Sequence, residues 1–440
     1  MLARPRLFGL HYAWIVFGVT FLTVLASAGI RSTPGVLIIP LEHEFGWNRA
    51  AVSAAIAINL MLFGLCGPFA AAFMERFGLR RVVLTALLML AGGVALTTQM
   101  RSLWQFYLLW GVLVGSGTGA MATVLAATVA NRWFVARRGL VTGVLTAGTA
   151  TGQLVFLPVL ATLVVGRGWR WASATVAVAI VIAIPLVLLF LRDRPRDLGL
   201  PAYGAAEVAP AGPARGNPFR AAIAGLRLGL SSGSFWFLAG SFFICGATTT
   251  GLIGTHLIPA SMEHGIPEVT AAGLLAVIGV FDIIGTTASG WLTDKVDSRW
   301  LLFWYYGLRG LSLLILPFVL GQSFFGLILF IVFYGLDWVA TVPPTISLTA
   351  DLFGRQNVGI VYGWIFASHQ LGAAAAAFGA GAMRTIFGDY QVTFITAGLL
   401  CLIASGLVIR IGRDSRGEPG LGLRPTRAVG IATGADALAS

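Results

Sequence analysis

Long apolar runs alternate with short charged breaks along almost the whole chain. An apolar run of about 20 residues is long enough to cross the hydrocarbon core of a bilayer as a helix. The pattern therefore predicts an all-α membrane protein with twelve transmembrane helices in two six-helix halves. The approximate limits of the spans are 12–37, 50–72, 82–100, 103–129, 139–164, 171–191, 233–258, 270–291, 300–320, 323–349, 358–382 and 391–410.

The second half of the chain repeats the first at an offset of 219 residues, which takes Glu75 to Asp294 and Glu44 to Glu263. The repeat predicts two halves that descend from one ancestral unit. We expect an N-terminal six-helix half at 1–191, a cytoplasmic linker at 192–232, a C-terminal six-helix half at 233–412 and a disordered tail at 413–440. Within the linker, apolar residues at helical spacing from Phe219 to Leu230 predict a short helix on the membrane surface.

Composition excludes a soluble domain. Hydrophobic residues make up 57% of the chain and charged residues 10%, whereas soluble domains carry roughly 25% charged residues. No stretch resembles a cleavable signal peptide, so we take the first apolar run as the first span. Cys66, Cys245 and Cys401 all lie in apolar runs without metal-ligand spacing, which predicts no disulfide framework, no metal site and no cofactor. We expect no enzyme, because no nucleophile, base and acid set stands on soluble elements.

Positive charge is distributed unevenly between the two sides of the predicted bundle. If the N-terminus is cytoplasmic, five of the 29 Lys and Arg fall in the opposite loops and two fall within spans. This bias predicts a multi-pass protein of the inner (plasma) membrane with both termini cytoplasmic. The net charge of +12 is then a topology and lipid-headgroup signal, and no nucleic-acid partner is expected. The bases in the opposite loops are Arg49, Arg101, Arg167, Arg170 and Arg384.

A polar stretch follows the second span of each half. The C-terminal copy keeps the pattern Gly-x-x-x-Asp-(Arg/Lys) and a later base, at Gly290, Asp294, Lys295 and Arg299. The N-terminal copy has Glu75 for the Asp, followed by Arg76, Gly78 and Arg80. With two six-span halves, this stretch resembles the major facilitator superfamily over nearly the whole chain. The resemblance implies alternating access with a cytoplasmic gate at Glu75, Arg76, Arg80, Asp294, Lys295 and Arg299, latched by the pairs Glu75/Arg76 and Asp294/Lys295.

A narrower resemblance lies at the fifth span. Trp133-Phe134 precedes paired bases at 137–138 and then small residues at about four-residue spacing, Gly139, Gly143, Gly148 and Gly152. This is similar to the signature of the monocarboxylate transporter branch, which also includes oxalate/formate antiporters, and the glycines would let helices approach closely. That branch carries an Asp in its eighth span and, four residues later, an Arg that holds the substrate carboxylate. Asp282 matches the acid, but Thr286 stands at the Arg position. Either the substrate class differs or the cation comes from elsewhere.

Five ionisable residues fall within predicted spans, and four belong to the C-terminal half. A charge near the bilayer centre costs roughly 2.5–3.5 kcal/mol on insertion scales, so such residues usually pair or face water. We therefore expect them to contact one another, a cavity or a substrate. The five are Arg31, Asp282, Arg309, Asp337 and His369.

Arg31 is the predicted anion anchor, because the first span lines the central cavity in the superfamily. The alternative is an interfacial base that snorkels to the outer surface. Pro34 and Gly35 are predicted to break the helix beside Arg31 and to free backbone groups near a ligand. Weaker predicted substrate contacts are Asn59, Thr118, Gln153, Tyr334 and His369.

Asp282 and Asp337 are the predicted carriers of coupled protons, because a carboxylate in a low-dielectric site gains proton affinity. His369 is a third candidate for proton coupling, with a satisfied interhelical histidine as the alternative. Arg309 is predicted to be a structural counter-ion to Asp282 or Asp337.

Together these features predict a secondary active transporter that moves a small, monocarboxylate-like organic anion by alternating access, with proton symport as the coupling. One chain holds both halves of the path, so a functional monomer is expected. Within transport, proton-independent anion exchange and efflux of a lipophilic compound stay open. A sensor or scaffold without transport is disfavoured, because the linker is too short to hold a soluble output domain.

Overall fold

The computed structural model describes residues 6–7, 10–208, 217–354 and 357–412. In these ranges two short strands, β1 (Arg6–Leu7) and β2 (Leu10–His11), pair antiparallel ahead of twelve long helical segments and a linker helix, Pro218–Leu230. The predicted tail at 413–440 lies outside the described residues, as do 209–216 of the linker. The helical segments are α1 (Tyr12–Phe45), α2 (Arg49–Phe77), α3 (Leu79–Thr97), α4 (Leu103–Phe106, Tyr107–Val114, Gly115–Thr118 and Ala122–Trp133), α5 (Arg138–Arg167), α6 (Trp169–Phe190), α7 (Gly233–Gly246, Ala247–Ile253 and Gly254–Glu263), α8 (Glu268–Thr293), α9 (Ser298–Val319), α10 (Phe324–Asp337 and Val342–Phe353), α11 (Val358–Phe387) and α12 (Gln391–Val408).

The predicted all-α membrane fold is confirmed. Among the described residues, ten of the helical segments are long and apolar enough to cross a membrane. The other two segments, α4 and α11, complete the two sets of six. The helices extend beyond the predicted spans where polar residues continue the helix past its apolar part.

The predicted break at Pro34 is wrong, because α1 runs without interruption from Tyr12 to Phe45. Proline removes one backbone hydrogen bond, and a helix that packs against neighbours on several sides can absorb that loss. The helix ends instead at Gly46, whose φ of 67° is the left-handed conformation that glycine adopts easily. The Asn48 side chain then accepts a hydrogen bond from the Ala51 amide, at 2.8 Å, and begins α2.

The halves meet along two helix pairs, α2 with α11 and α5 with α8. Gly152 of α5, which the sequence marked for packing, lies at a close helix contact, because a Cβ there would collide with Ala28 of α1. Gly372 of α11 makes a similar contact, because a Cβ there would collide with the Phe243 carbonyl of α7. Gly143, in contrast, has nothing within 4 Å of that position.

The linker helix lies against α2 and α11. Its first aromatic, Phe219, contacts Phe69 and Phe73 with ring centroids 5.9 and 5.3 Å apart. Trp364 of α11 donates a hydrogen bond from Nε1 to the Ala222 carbonyl, at 2.9 Å. A helix stands where the sequence predicted one, and its position at a membrane surface stays a prediction.

Helices α4 and α10 are interrupted at corresponding positions of the repeat. Helix α4 stops at Thr118 and resumes at Ala122, while α10 stops at Asp337 and resumes at Val342. The 219-residue offset carries Thr118 to Asp337. Both interruptions lie beside the space between the two halves, where the candidate site is found.

Candidate functional site

A cavity lies between the two halves. The space among its walls, including solvent at its mouth, amounts to about 810 Å³. Both halves supply walls, and Arg31 and Thr250 stand at the same position of the repeat. The polar residues of the lining are Ser27, Arg31, Asn59, Thr118, Thr149, Gln153, Thr250 and Thr255, and aromatic walls come from Phe63 and Trp338.

Arg31 supplies positive charge to this cavity. Its guanidinium carbon lies 5.1 Å from the centre of the Phe63 ring, a distance at which a cation and an aromatic face attract each other. None of the lining residues is an acid, and no carboxylate within the described ranges lies at ion-pair distance from Arg31. Arg31 is half-buried, and a cation in a membrane-embedded cavity without a protein counter-ion is suited to an anionic ligand.

Three predicted polar contacts lie in the same lining. Asn59 donates from Nδ2 to the Trp110 carbonyl at 2.7 Å, and Thr118 donates its hydroxyl to the Gly115 carbonyl at 2.8 Å. Both therefore spend donors on backbone. Gln153 makes no side-chain hydrogen bond to the described part of the chain, so its amide can serve a ligand.

Tyr334 and His369 lie away from the cavity lining. Tyr334 donates its hydroxyl to the Thr248 carbonyl at 2.8 Å. His369 lies between the rings of Phe242 and Phe366, with centroids 4.7 and 5.7 Å away. The structure thus gives neither residue the direct cavity position that the sequence analysis expected.

Arg309 binds Asp337 rather than Asp282. Its Nε donates to Asp337 Oδ2 at 2.5 Å, and Nη2 donates to the Asp337 carbonyl at 2.6 Å. Nη1 donates to the sulfur of Cys245 at 3.0 Å. Arg309 is only 1% exposed, and Asp337 Oδ1 is buried without a hydrogen-bond partner. In this buried pair, only one carboxylate oxygen of Asp337 has a hydrogen-bond partner.

Asp282 has neutral partners. Its Oδ1 accepts from the Thr286 hydroxyl at 2.8 Å and from the Val339 amide at 3.0 Å. Thr286, which replaces the Arg of the monocarboxylate pattern, therefore hydrogen-bonds the neighbouring acid instead of contributing charge. The cation of the cavity comes from α1, through Arg31.

The predicted gate residues of the N-terminal half pair differently from the expectation. Glu75 accepts from Arg132 at 2.7 Å and from Arg194 at 3.3 Å, and the adjacent Arg76 lies over the Phe77 ring. The predicted Glu75/Arg76 pair is wrong because neighbours in sequence point to different sides of a helix end. The Arg80 amide donates to Asp193 at 2.8 Å, so these contacts stay within the N-terminal half and the start of the linker.

The second copy behaves in the same way. Lys295 Nζ lies 3.7 Å from the centre of the Trp291 ring, and among the described residues no ion pair joins it to Asp294. The pair that forms is Asp297 with Arg299, at 2.7 Å. Hydrogen bonds from the Arg299 side chain hold the pKa of Asp297 below its usual value. The predicted Asp294/Lys295 pair is therefore absent from the described residues, and Asp297, which departs from the motif, forms the ion pair instead.

An ion network that joins the two halves at the opposite end was missed. Arg49 donates to Glu42 at 2.5 and 2.7 Å, to Glu263 at 3.1 Å and to the Tyr390 hydroxyl at 2.6 Å. Arg384 donates to Glu263 at 2.8 Å. We call these five residues the Arg49 network. The sequence signal was Glu263, an acid kept by the repeat, but nothing in the sequence showed that Arg49 would reach it.

Two six-helix units around a cavity that both of them line are the architecture of alternating-access membrane transporters. The sequence profile of the Major Facilitator Superfamily matches residues 19–377 and 257–432. The chain belongs to the Major Facilitator Superfamily. The predicted family is therefore confirmed, and the protein is a multi-pass membrane transporter.

Curated relatives cover most of the chain. Monocarboxylate transporter 13 of Rattus norvegicus is 28% identical over 405 residues, which span 91% of this chain and 89% of the relative. An uncharacterized MFS-type transporter, YcxA of Bacillus subtilis (strain 168), is 24% identical over 402 residues, 90% of this chain and 93% of the relative. The predicted resemblance to monocarboxylate transporters agrees with the name of the first of these relatives.

Solved structures support the fold. A D-xylose-proton symporter matches with a TM-score of 0.72 at 13% identity, covering 91% of this chain and 98% of the other. A bacterial homolog of the human lysosomal transporter Spinster matches with a TM-score of 0.73 at 16% identity, covering 93% and 98%. At these identities the likeness concerns the fold alone.

Proposed function

We propose that this transporter moves a small, monocarboxylate-like organic anion across the inner membrane by alternating access. The observation that carries the proposal is Arg31, a cation in a cavity lined from both halves, with no acid among the lining residues. An arriving carboxylate would supply the missing counter-charge. Gln153 and Thr250 offer uncharged polar groups for the rest of the ligand, and the names of relatives such as monocarboxylate transporter 13 agree with this class.

Proton symport is the proposed coupling, with Asp337 as the proton carrier. Its free oxygen, Oδ1, is buried without a partner, so a proton can bind there without displacing a hydrogen bond. The loaded acid would leave Arg309 with less counter-charge and would loosen the link between α9 and α10. His369 lies in the same half and stays a second candidate for proton transfer.

Gating is proposed to occur at both ends of the bundle. At the linker end, Glu75 with Arg132 and Asp297 with Arg299 hold helix ends within each half. At the opposite end, the Arg49 network joins the halves and would have to separate for a cavity opening on that side. Arg76, Arg80, Asp294 and Lys295 keep their proposed place in the linker-end gate, through contacts other than the adjacent pairs.

The test is uptake of labelled lactate, pyruvate, oxalate and larger organic acids into liposomes that hold the purified protein, with and without an inward proton gradient. Accumulation of one acid that depends on the gradient would support symport. Uptake that requires preloaded anion would mean exchange, and no uptake by sealed vesicles would redirect the search to efflux of lipophilic compounds.

Arg31→Ala is the decisive variant. A hydrogen bond to a charged group contributes about 1.5–3 kcal/mol, so its loss should weaken anion binding by about 10- to 150-fold. Arg31→Lys keeps the charge and should retain part of the binding. The matched control is Arg167→Ala, which removes an arginine that lies over the Trp171 ring outside the cavity lining. Uptake by Arg31→Ala at the parent rate would remove Arg31 from the site.

A further inference from the structure

The interruption of α10 exposes backbone groups in the middle of the bundle. Pro343 and Pro344 have no amide hydrogen, so a continuous helix would leave the carbonyls of Val339 and Ala340 without partners. The helix stops at Asp337 and resumes at Val342 instead. Backbone groups buried in a membrane protein must find partners within the protein. The backbone groups freed at this interruption therefore need partners from other helices.

Side chains of α8 and α9 supply them. Arg309 donates to the carbonyls of Asp337, at 2.6 Å, and Trp338, at 3.3 Å. Ser289 donates its hydroxyl to the Ala340 carbonyl at 2.6 Å. Within the break itself, the Val342 amide donates a hydrogen bond to the Val339 carbonyl at 2.9 Å and so closes a turn.

Asp282 completes this set from α8. Its Oδ1 accepts from the Val339 amide at 3.0 Å and from the Thr286 hydroxyl at 2.8 Å. The two acids near the break therefore differ. Asp282 accepts from two neutral donors, whereas Asp337 is paired with the Arg309 guanidinium and keeps Oδ1 buried without a partner.

The break also presents an aromatic side chain to the cavity. Trp338 is the first residue after the first helical part of α10, Phe324–Asp337, and its ring belongs to the cavity lining. Ring atoms of Trp338 lie 3.7 and 3.8 Å from where a Cβ on Gly254 of α7 would stand. The position of this ring thus depends on how residues 338–341 are held.

We propose that Asp282 is a positioning residue, which fixes the break of α10 and through it the Trp338 wall of the cavity, and that it does not carry the coupled proton. The part about the proton rests on the proposed function. An acceptor oxygen is what the Val339 amide requires, so a neutral amide side chain can replace the carboxylate. Loss of the oxygen leaves the amide unpaired and lets the break relax.

The experiment compares Asp282→Asn, Asp282→Ala and Ser289→Ala in the full-length protein. The matched control is Thr287→Ala, because Thr287 donates only within its own helix, to Ile283. Thermal unfolding in detergent is measured first, since it needs no substrate. We expect Asp282→Ala and Ser289→Ala to lower Tm by at least about 2 °C, with Asp282→Asn and the control within about 1 °C of the parent.

Uptake driven by a proton gradient is the second measurement. Asp282→Asn should keep the accumulation ratio within about twofold of the parent, while Asp282→Ala loses most of it. Asp337→Asn, which cannot load a proton, should lose accumulation. It should also lower Tm, because it removes the charge that pairs with the buried Arg309.

Two results would overturn the inference. If the Asp282→Asn variant unfolds like the parent but has lost gradient-driven accumulation, Asp282 is the proton carrier. Asp282→Ala that unfolds like the Thr287→Ala control would show that the break does not need this acceptor. If no acid is transported by the parent, the proposed function fails alone, because the Tm series still decides the positioning role.

Discussion

Replacing Arg49 with alanine should open the end of the bundle that the Arg49 network closes. Arg49 is 9% exposed and bonds residues of both halves. Its bonds to Glu42 lie within the N-terminal half and survive when the halves separate. Its bonds to Glu263, at 3.1 Å, and to Tyr390, at 2.6 Å, exist only in the closed arrangement. Only such differential contacts can shift an equilibrium between two conformations.

The magnitude follows from those two cross-half bonds. A hydrogen bond to a charged group contributes about 1.5–3 kcal/mol. Two bonds at the low end give about 3 kcal/mol, and the partial exposure of Glu263, whose side chain is 21% exposed, reduces the sum to about 2 kcal/mol. That energy corresponds to a roughly 30-fold shift towards the open arrangement. Tyr390→Phe removes one of the two bonds and should give a smaller shift.

The assay is a distance measurement by pulsed EPR between spin labels at His43→Cys and Val269→Cys. Both positions are exposed, on α1 and α8 beside the network. Arg49→Ala should add a population with a longer distance. The matched control is Arg170→Ala, which breaks an ion pair with Glu44 inside one half and should leave the distances unchanged. Identical distance distributions for Arg49→Ala and the parent would refute the reasoning.

Two further predictions concern packing and pH. Gly372→Ala should lower stability by about 1–3 kcal/mol, because its Cβ would collide with the Phe243 carbonyl, whereas Gly379→Ala in the same helix has free space and should be neutral in thermal unfolding. Asp297→Asn should lower the free energy of unfolding at neutral pH by about 0.2–1 kcal/mol and should therefore lower Tm. The difference should begin to shrink as the pH falls to about 3.9 and should be lost as the pH passes through the lower pKa of folded Asp297, because a lowered pKa stabilises only while the acid is ionised; a difference that does not shrink down to pH 3 would contradict this.

Helix positions followed from the sequence, but the effect of proline did not. Hydropathy predicted both α1 and α10, and Pro34 suggested a break in α1. Helix α1 continues through Pro34, while α10 stops ahead of Pro343 and Pro344. A single missing amide is tolerated within a packed helix. Two consecutive prolines remove two hydrogen bonds, and the outcome depends on partners from α8 and α9 that a local pattern cannot show.

The site was predictable in composition and only partly in geometry. A charge in an apolar span identified Arg31, and the structure places Arg31 in the cavity lining together with its repeat mate Thr250. The sequence left two partners open for Arg309, and only the relative height of α8, α9 and α10 selects Asp337. The Arg49 network was missed for the same reason, since its members come from distant parts of the chain.

The repeat places the charged break of α10 beside an uncharged counterpart in the N-terminal half. Helix α4 is interrupted at the same repeat position as α10, yet its turn closes on itself, with the Ala120 amide on the Gly117 carbonyl and the Met121 amide on the Thr118 carbonyl. The interruption therefore needs no buried ions.

In the C-terminal half, the residue that corresponds to Leu90 is Arg309, and the one that corresponds to Phe63 is Asp282. Leu90 packs against Gly117 beside the break of α4, while Arg309 hydrogen-bonds the break of α10. The apolar contact beside the break of α4 is thus matched by a polar contact at the break of α10. Arg309 of α9 hydrogen-bonds the Asp337 and Trp338 carbonyls, and α8 side chains hydrogen-bond Val339 and Ala340. Because a movement of α8 or α9 against α10 must exchange these hydrogen bonds, a change of charge on this side of the cavity can alter its wall directly.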